Sequence, residues 1–210
     1  MMGVHGLRTL FARRNLRAYM LNAVTISSVT FFAFWFYQPV TLRAGLGVTH
    51  LGFVAAGFNL FSTLLLANVA LLEKVLGIRR LLLHSALLPA AMFVALGFVH
   101  RLEFAVPALF ILVGCKSVRM PILNDFINRH VESENRATVI SSMSLLERSV
   151  TFVLYPVVGR LADASVDYAL WLLGGLCAAF ALGTRISDRH LRETGNSAGG
   201  EAILPKRGAE

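Results

Sequence analysis

The chain has 210 residues, 56% of them hydrophobic and 15% charged, with a mean hydropathy of +0.64. Soluble domains carry about 25% charged residues because their surface faces water, so this balance excludes an ordinary water-soluble globular domain. The formal charge of +8 does not signal nucleic acid, because the Arg residues stand at the edges of apolar blocks and form no continuous basic patch.

In chain order, residues 1–17 come first, an amphipathic piece with Leu7, Leu10, Phe11 and Leu16 set among Arg8, Arg13, Arg14 and Arg17. Such a segment is expected to lie along a headgroup layer on the cytoplasmic side. Six apolar blocks follow, near Ala18–Gln38, Leu51–Leu72, Leu81–Phe98, Phe104–Phe126, Ala137–Val158 and Val166–Thr184. Each matches the roughly 20 residues that carry a helix across a hydrocarbon core. They lack the short alternation of barrel strands, and lipid leaves the backbone no hydrogen-bond partner outside a helix. The first block shows no small-residue cleavage site, so it reads as a retained span and not a signal peptide. Residues 18–185 are therefore expected to form an all-α, six-helix transmembrane domain. The tail 186–210, polar and glycine-rich around Gly195–Gly200, is expected to be disordered.

Orientation follows from the basic residues. Fourteen of the 20 Lys and Arg fall on one side, from Arg8 to Arg17, at Lys74, Arg79, Arg80, Arg129 and Arg136, and from Arg185 onward. Only Arg43, Arg101 and Arg160 fall on the other. Positive residues flank spans on the cytoplasmic side, which places both termini inside a plasma (inner) membrane. Cys115 and Cys177 lie in apolar blocks without metal or disulfide spacing, so no metal or cofactor is expected. Pro89, Pro107, Pro121 and Pro156 lie within spans, where each removes a backbone donor and favours a kink. Aromatic residues crowd the outer end of the first span, at Phe31, Phe32, Phe34, Trp35, Phe36 and Tyr37. They read either as an interfacial belt or as a stacking wall for an amphipathic substrate.

The chemistry-bearing residues are the charges inside spans. Lys116 and Arg119 lie in the fourth, and Glu147 and Arg148 in the fifth. Each costs roughly 2.5–3.5 kcal/mol at a helix centre on insertion scales, so such groups face protein or water. Lys116 and Glu147 each stand about 15 Å from the inner end of their spans, from the helical rise. We expect them to form an ion pair, with Arg119 as the alternative partner. The pair reads either as a fastening between two helices or as a proton-responsive, substrate-binding cluster in a wet cavity. Asn22, Thr25, Ser27, Ser28 and Thr30 make the first span polar, and Asn59, Ser62 and Asn68 the second. The third and sixth are nearly free of polar residues and are expected to form the apolar outside of the bundle. No zinc-protease or nucleophile-elbow pattern is present, so an enzyme is not expected.

Three stretches resemble the major facilitator superfamily of transporters, specifically its C-terminal half. They are Tyr37-Gln38-Pro39 through Gly45 and Gly52; Glu73-Lys74-Val75-Leu76-Gly77-Ile78-Arg79-Arg80; and Arg119-Met120-Pro121 with Asn128, Arg136-Ala137-Thr138, Ser141, Pro156, Gly159 and Leu161-Ala162-Asp163. The second departs from the family's inner loop, with Glu for Asp, Val69 in place of a glycine and one extra residue before Gly77. The resemblance implies a 3+3 inverted repeat, alternating access and a small-molecule substrate bound at mid-membrane. It implies structural or gating roles at Gly77, Arg79 and Arg80 and for an Arg136–Asp125 pair. Substrate- or proton-binding candidates are Lys116, Arg119, Glu147, Arg148, Asn59 and Asn22. It also implies that a second six-helix half, from a copy of this chain or another protein, completes the transporter. A non-transporting membrane scaffold or a vestigial fragment is the alternative.

Overall fold

The computed structural model describes residues 14–130 and 133–183, with side chains from residue 23 onward except 78, 79, 123, 125–135 and 183. The helices are α1 (Arg14–Arg43), α2 (Leu51–Ala67), α3 (Val69–Leu76), α4 (Ile78–Phe98), α5 (Leu102–His130), α6 (Ser133–Ala164) and α7 (Val166–Gly183), with a 3-10 turn at Val48–His50. Among the described residues there is no strand. Five stretches are long and apolar enough to cross a membrane: Ala23–Arg43, Val48–Ala67, Arg80–Phe98, Leu102–Ile122 and Arg136–Ala164. The sixth expected crossing corresponds to the shorter apolar stretch Val166–Leu182.

Several helices outrun their apolar blocks. At 30, 29 and 32 residues, α1, α5 and α6 are each about 45 Å long, well beyond a hydrocarbon core of about 30 Å. α1 already begins at Arg14, within the segment expected to lie flat; residues 1–13 and the tail from 184 lie outside the described residues. The helices continue through Pro39, Pro89, Pro107, Pro121 and Pro156.

Local chemistry explains the breaks. α1 ends in a Schellman motif, with Gly45 at φ 98°, its N–H on the Leu42 carbonyl at 3.0 Å and the Leu46 N–H on the Thr41 carbonyl at 3.0 Å. The second block is split at Asn68, whose side-chain amide donates to the Leu64 carbonyl at 2.8 Å. α3 and α4 are joined by Gly77 alone, at φ 75° and ψ 143°, a conformation essentially reserved for glycine. At the start of α7, the Ser165 hydroxyl accepts the Asp167 N–H at 3.1 Å as an N-cap.

α1 is the central helix and packs on α5, α6 and α7, and 72% of its apolar stretch is buried. α4 packs most extensively on α7, and also on α5; α2 packs on α5. Small residues set the α4–α7 approach. A Cβ added at Gly174 would stand 2.6 Å from Val94 Cγ2 and 3.0 Å from the Ala90 carbonyl oxygen. Phe93, Leu96, Leu170, Leu173 and Cys177 are fully buried between and beside them. The exposed helices are α2 and α6, whose apolar stretches are only 6% and 17% buried. The third and sixth spans, expected on the apolar outside, bury one face against each other, and α2 and α6 carry the largest uncovered faces of this bundle taken alone.

At the Gly45 end, the Arg43 guanidinium bonds the Asp167 carboxylate and, through Nη2, the Leu96 carbonyl at 2.6 Å. The His100 ring sits 3.1 Å from the same carboxylate. This cluster ties the ends of α1 and α4 to the start of α7.

Candidate functional site

The site forms where α1, α5 and α6 meet. α1 carries Thr25, Ser27, Ser28 and Thr30, all buried. Ser28 and Thr30 donate back to the Val24 and Ile26 carbonyls at 2.8 Å, which satisfies hydroxyls that lack water. Ser28 Oγ also lies 3.1 Å from the Glu147 carbonyl oxygen, which accepts from Thr151 Oγ1 at 2.8 Å as well, so α1 and α6 are pinned together beside the site.

On α5, about 100° per residue separates neighbouring side chains. Ser117 therefore points to α2 and donates to Ser62 Oγ at 2.9 Å. Met120 meets Ser27 of α1 at 3.8 Å. Arg119 turns the other way, to α4, where its Nη1 donates to Ser85 Oγ at 3.1 Å; it is 1% exposed. Lys116 turns to the cleft, where its Nζ lies 4.8 Å from the centre of the Phe31 ring. Lys116 stands 14 residues from either end of α5, at about 21 Å from each, so it is at mid-length. Glu147 lies 14 residues from the start of α6.

Two adjoining cavities occupy the cleft. The larger, about 560 Å³, is lined by Phe31, Lys116, Ser144, Glu147, Arg148, Thr151, Phe152 and Tyr155. The smaller, about 110 Å³, includes Ser27, Met120, Asn124 and Met143, and shares Ser144 and Glu147 with the first. Tyr155 closes one wall, with Phe31, Phe32 and Trp35 edge-on to its ring at centroid distances of 6.3, 5.4 and 6.1 Å. The aromatic run thus splits. Phe32, Phe36 and Tyr37 enter the core, and Tyr37 stacks edge-on to Phe58, which meets Phe110. Phe31 and Trp35 turn toward α6.

The candidates divide accordingly. Lys116, Glu147 and Arg148 come together around one cavity. Among the described residues, however, no ion pair joins Lys116 to Glu147, which corrects that expectation. α5 and α6 diverge after their short connection and α1 packs against both, so the Phe31 ring takes up the Lys116 ammonium. Arg119 lines neither cavity, because its position on α5 commits it to Ser85. Asn59 is exposed on α2 and donates to the Ala55 carbonyl of its own helix at 2.9 Å, away from both cavities. Gly77 makes the α3–α4 corner, Arg80 is exposed beside it, and Arg136 is half-buried near the start of α6. The side chains of Asn22, Arg79 and Asp125 lie outside the described residues, and with Asp125 the proposed Arg136 pair.

Ser144, Thr151 and Tyr155 were not singled out from sequence. Each was legible as a position three before, four after or eight after Glu147, on the same helix face. The Arg43–Asp167–His100 cluster carried no such signal, because its members are far apart in the chain. Compared with protein-family models, curated proteins and solved structures, the chain matches none.

Proposed function

We propose that the protein is a membrane transporter subunit, a six-helix half of a major-facilitator-like secondary transporter that moves a small molecule with the mid-membrane cleft as its binding site. The observation that carries this is the grouping of Lys116, Glu147 and Arg148 around one cavity, Lys116 and Glu147 near the middle of their helices. Three ionisable groups at that depth are expensive in oil and are typical of substrate and proton paths.

Helix pairing supports a 3+3 inverted repeat. Numbering the spans one to six, with α2 and α3 together as the second, the main packed pairs are 3–6, 3–4, 1–4, 2–4, 1–5, 1–6 and 5–6, with a smaller 2–3 contact. Exchanging the first three spans with the last three turns this set into itself, while the slighter 4–5 and 1–3 contacts have no such counterpart. α6, largely uncovered, lines the cleft with α1 and α5, and a second six-helix half, from a copy of this chain or another protein, would complete its wall. The basic bias at the Gly77 end orients that end to the cytoplasm, with both termini inside.

The test is uptake into proteoliposomes of radiolabelled pools of organic anions, organic cations, sugars and amino acids. Uptake of at least one pool above empty liposomes is expected, with a fall of at least about tenfold in a Lys116→Met/Glu147→Gln double variant, as suits charges that act at the site. Folded protein that carries no pool would make the bundle a scaffold instead. For Glu147→Gln alone, full uptake that still depends on the pH gradient would remove Glu147 as a proton carrier.

A further inference from the structure

Lys116 and Arg148 favour an anion, whereas the aromatic run favours an apolar ring. In the fold they share one wall. The cavity of about 560 Å³ brings Lys116 and Arg148 together with Phe31 and Tyr155, and Glu147 is the single carboxylate among them. That volume falls within the roughly 300–1,000 Å³ of pockets that hold drug-sized ligands.

We infer that the cleft binds an aromatic organic anion, with the ring against Tyr155 and the edge of Phe31 and the acidic group between Lys116 and Arg148. This deepens the transporter proposal and rests on it for the ligand's passage, though not for its binding. Two observations select an anion over a cation. Formal cations outnumber carboxylates two to one in the lining. The Phe31 face, one that could attract an organic cation, is already taken, since the Lys116 ammonium lies 4.8 Å from its centre. A planar ring entering beside Tyr155 finds edges and faces arranged for T-shaped contact, as the three aromatic neighbours of that ring already show. Thr151, whose hydroxyl is engaged by the Glu147 carbonyl, fixes the α6 backbone between the charged and aromatic parts of the wall.

The experiment is equilibrium dialysis of 2-naphthoate against the full chain in lipid nanodiscs, with empty nanodiscs as the blank. 2-Naphthamide supplies the same ring without charge, hexanoate the charge without a ring, and 2-naphthylmethylammonium the opposite sign. Naphthoate is expected to bind about tenfold or more tighter than each, because a charge-assisted contact and a ring contact act together. Lys116→Met is expected to weaken naphthoate about tenfold and leave naphthamide unchanged, with Lys116→Arg restoring affinity through the retained charge. Tyr155→Leu should weaken naphthoate and naphthamide alike. Equal binding of naphthoate and naphthamide, tighter binding of the ammonium, or naphthoate affinity unmoved by both Lys116→Met and Arg148→Met would overturn the assignment. Naphthoate binding without flux of any pool would uphold this site and remove the transport role. Flux of a cation or sugar pool without naphthoate binding would do the reverse.

Discussion

Arg119 and Lys116 are three residues apart on one helix yet serve different neighbours. Arg119 is buried against α4, where Ser85 Oγ accepts from it at 3.1 Å and itself donates to the Leu82 carbonyl at 2.9 Å. A guanidinium withdrawn from water depends on each acceptor it keeps, and a buried charged group that loses one is destabilised by about 1–3 kcal/mol. Ser85→Ala is therefore expected to lower the thermal unfolding midpoint in detergent, clearly more than Ser62→Ala, which breaks only the neutral Ser62–Ser117 bond. Equal effects of the two variants would show that Arg119 does not rely on Ser85. At this scale the sequence revealed which residues are charged and how deep they lie, because depth follows from helical rise. It did not reveal that α1 inserts Phe31 where an ion pair was expected, since that depends on how three helices meet.

At the scale of the element, two glycines make separate predictions. Gly77 adopts φ 75° and ψ 143° with no atom within 4 Å of an added Cβ, so Gly77→Ala meets no clash and only a conformational penalty, about 1–3 kcal/mol. Its expected signature is a lower midpoint with the cleft and its ligand affinity intact. Gly174 is the opposite case, with a helical backbone and no room. Gly174→Val must push the Ala90 carbonyl and Val94 away, so α4 and α7 are expected to separate and the folded yield to fall sharply. Normal yield and stability for Gly174→Val would mean that the two helices do not approach as described. Helix positions were largely legible, because long apolar blocks fix them. Helix lengths were not, since α5 and α6 continue into polar sequence that shows no change in hydropathy pattern at their ends.

For the whole molecule, the distribution of exposure is what distinguishes this bundle. The central helix is covered while α2 and α6 present Phe53, Leu60, Leu145, Phe152 and Val153 outward. Lipid covers such faces without difficulty, but the cleft beside α6 holds charges that lipid does not suit. In the proposed transporter a second half across the cleft would shelter them. Native mass spectrometry from a mild detergent is accordingly expected to show a dimer, or a complex with another six-helix partner when the protein is purified from its own cell. A monomer in both preparations would argue against a completed transporter.

A working cleft requires that water reach Lys116 and Glu147 at mid-depth. In a Cys115→Ala/Cys177→Ala background, Thr151→Cys in the cleft and Leu88→Cys near the middle of α4 are to be labelled in vesicles with a membrane-impermeant thiol reagent. Rapid labelling of Thr151→Cys, slowed by 2-naphthoate, with Leu88→Cys inert, is the expected result. Equal inertness at both positions would mean a dry cleft and contradict the account.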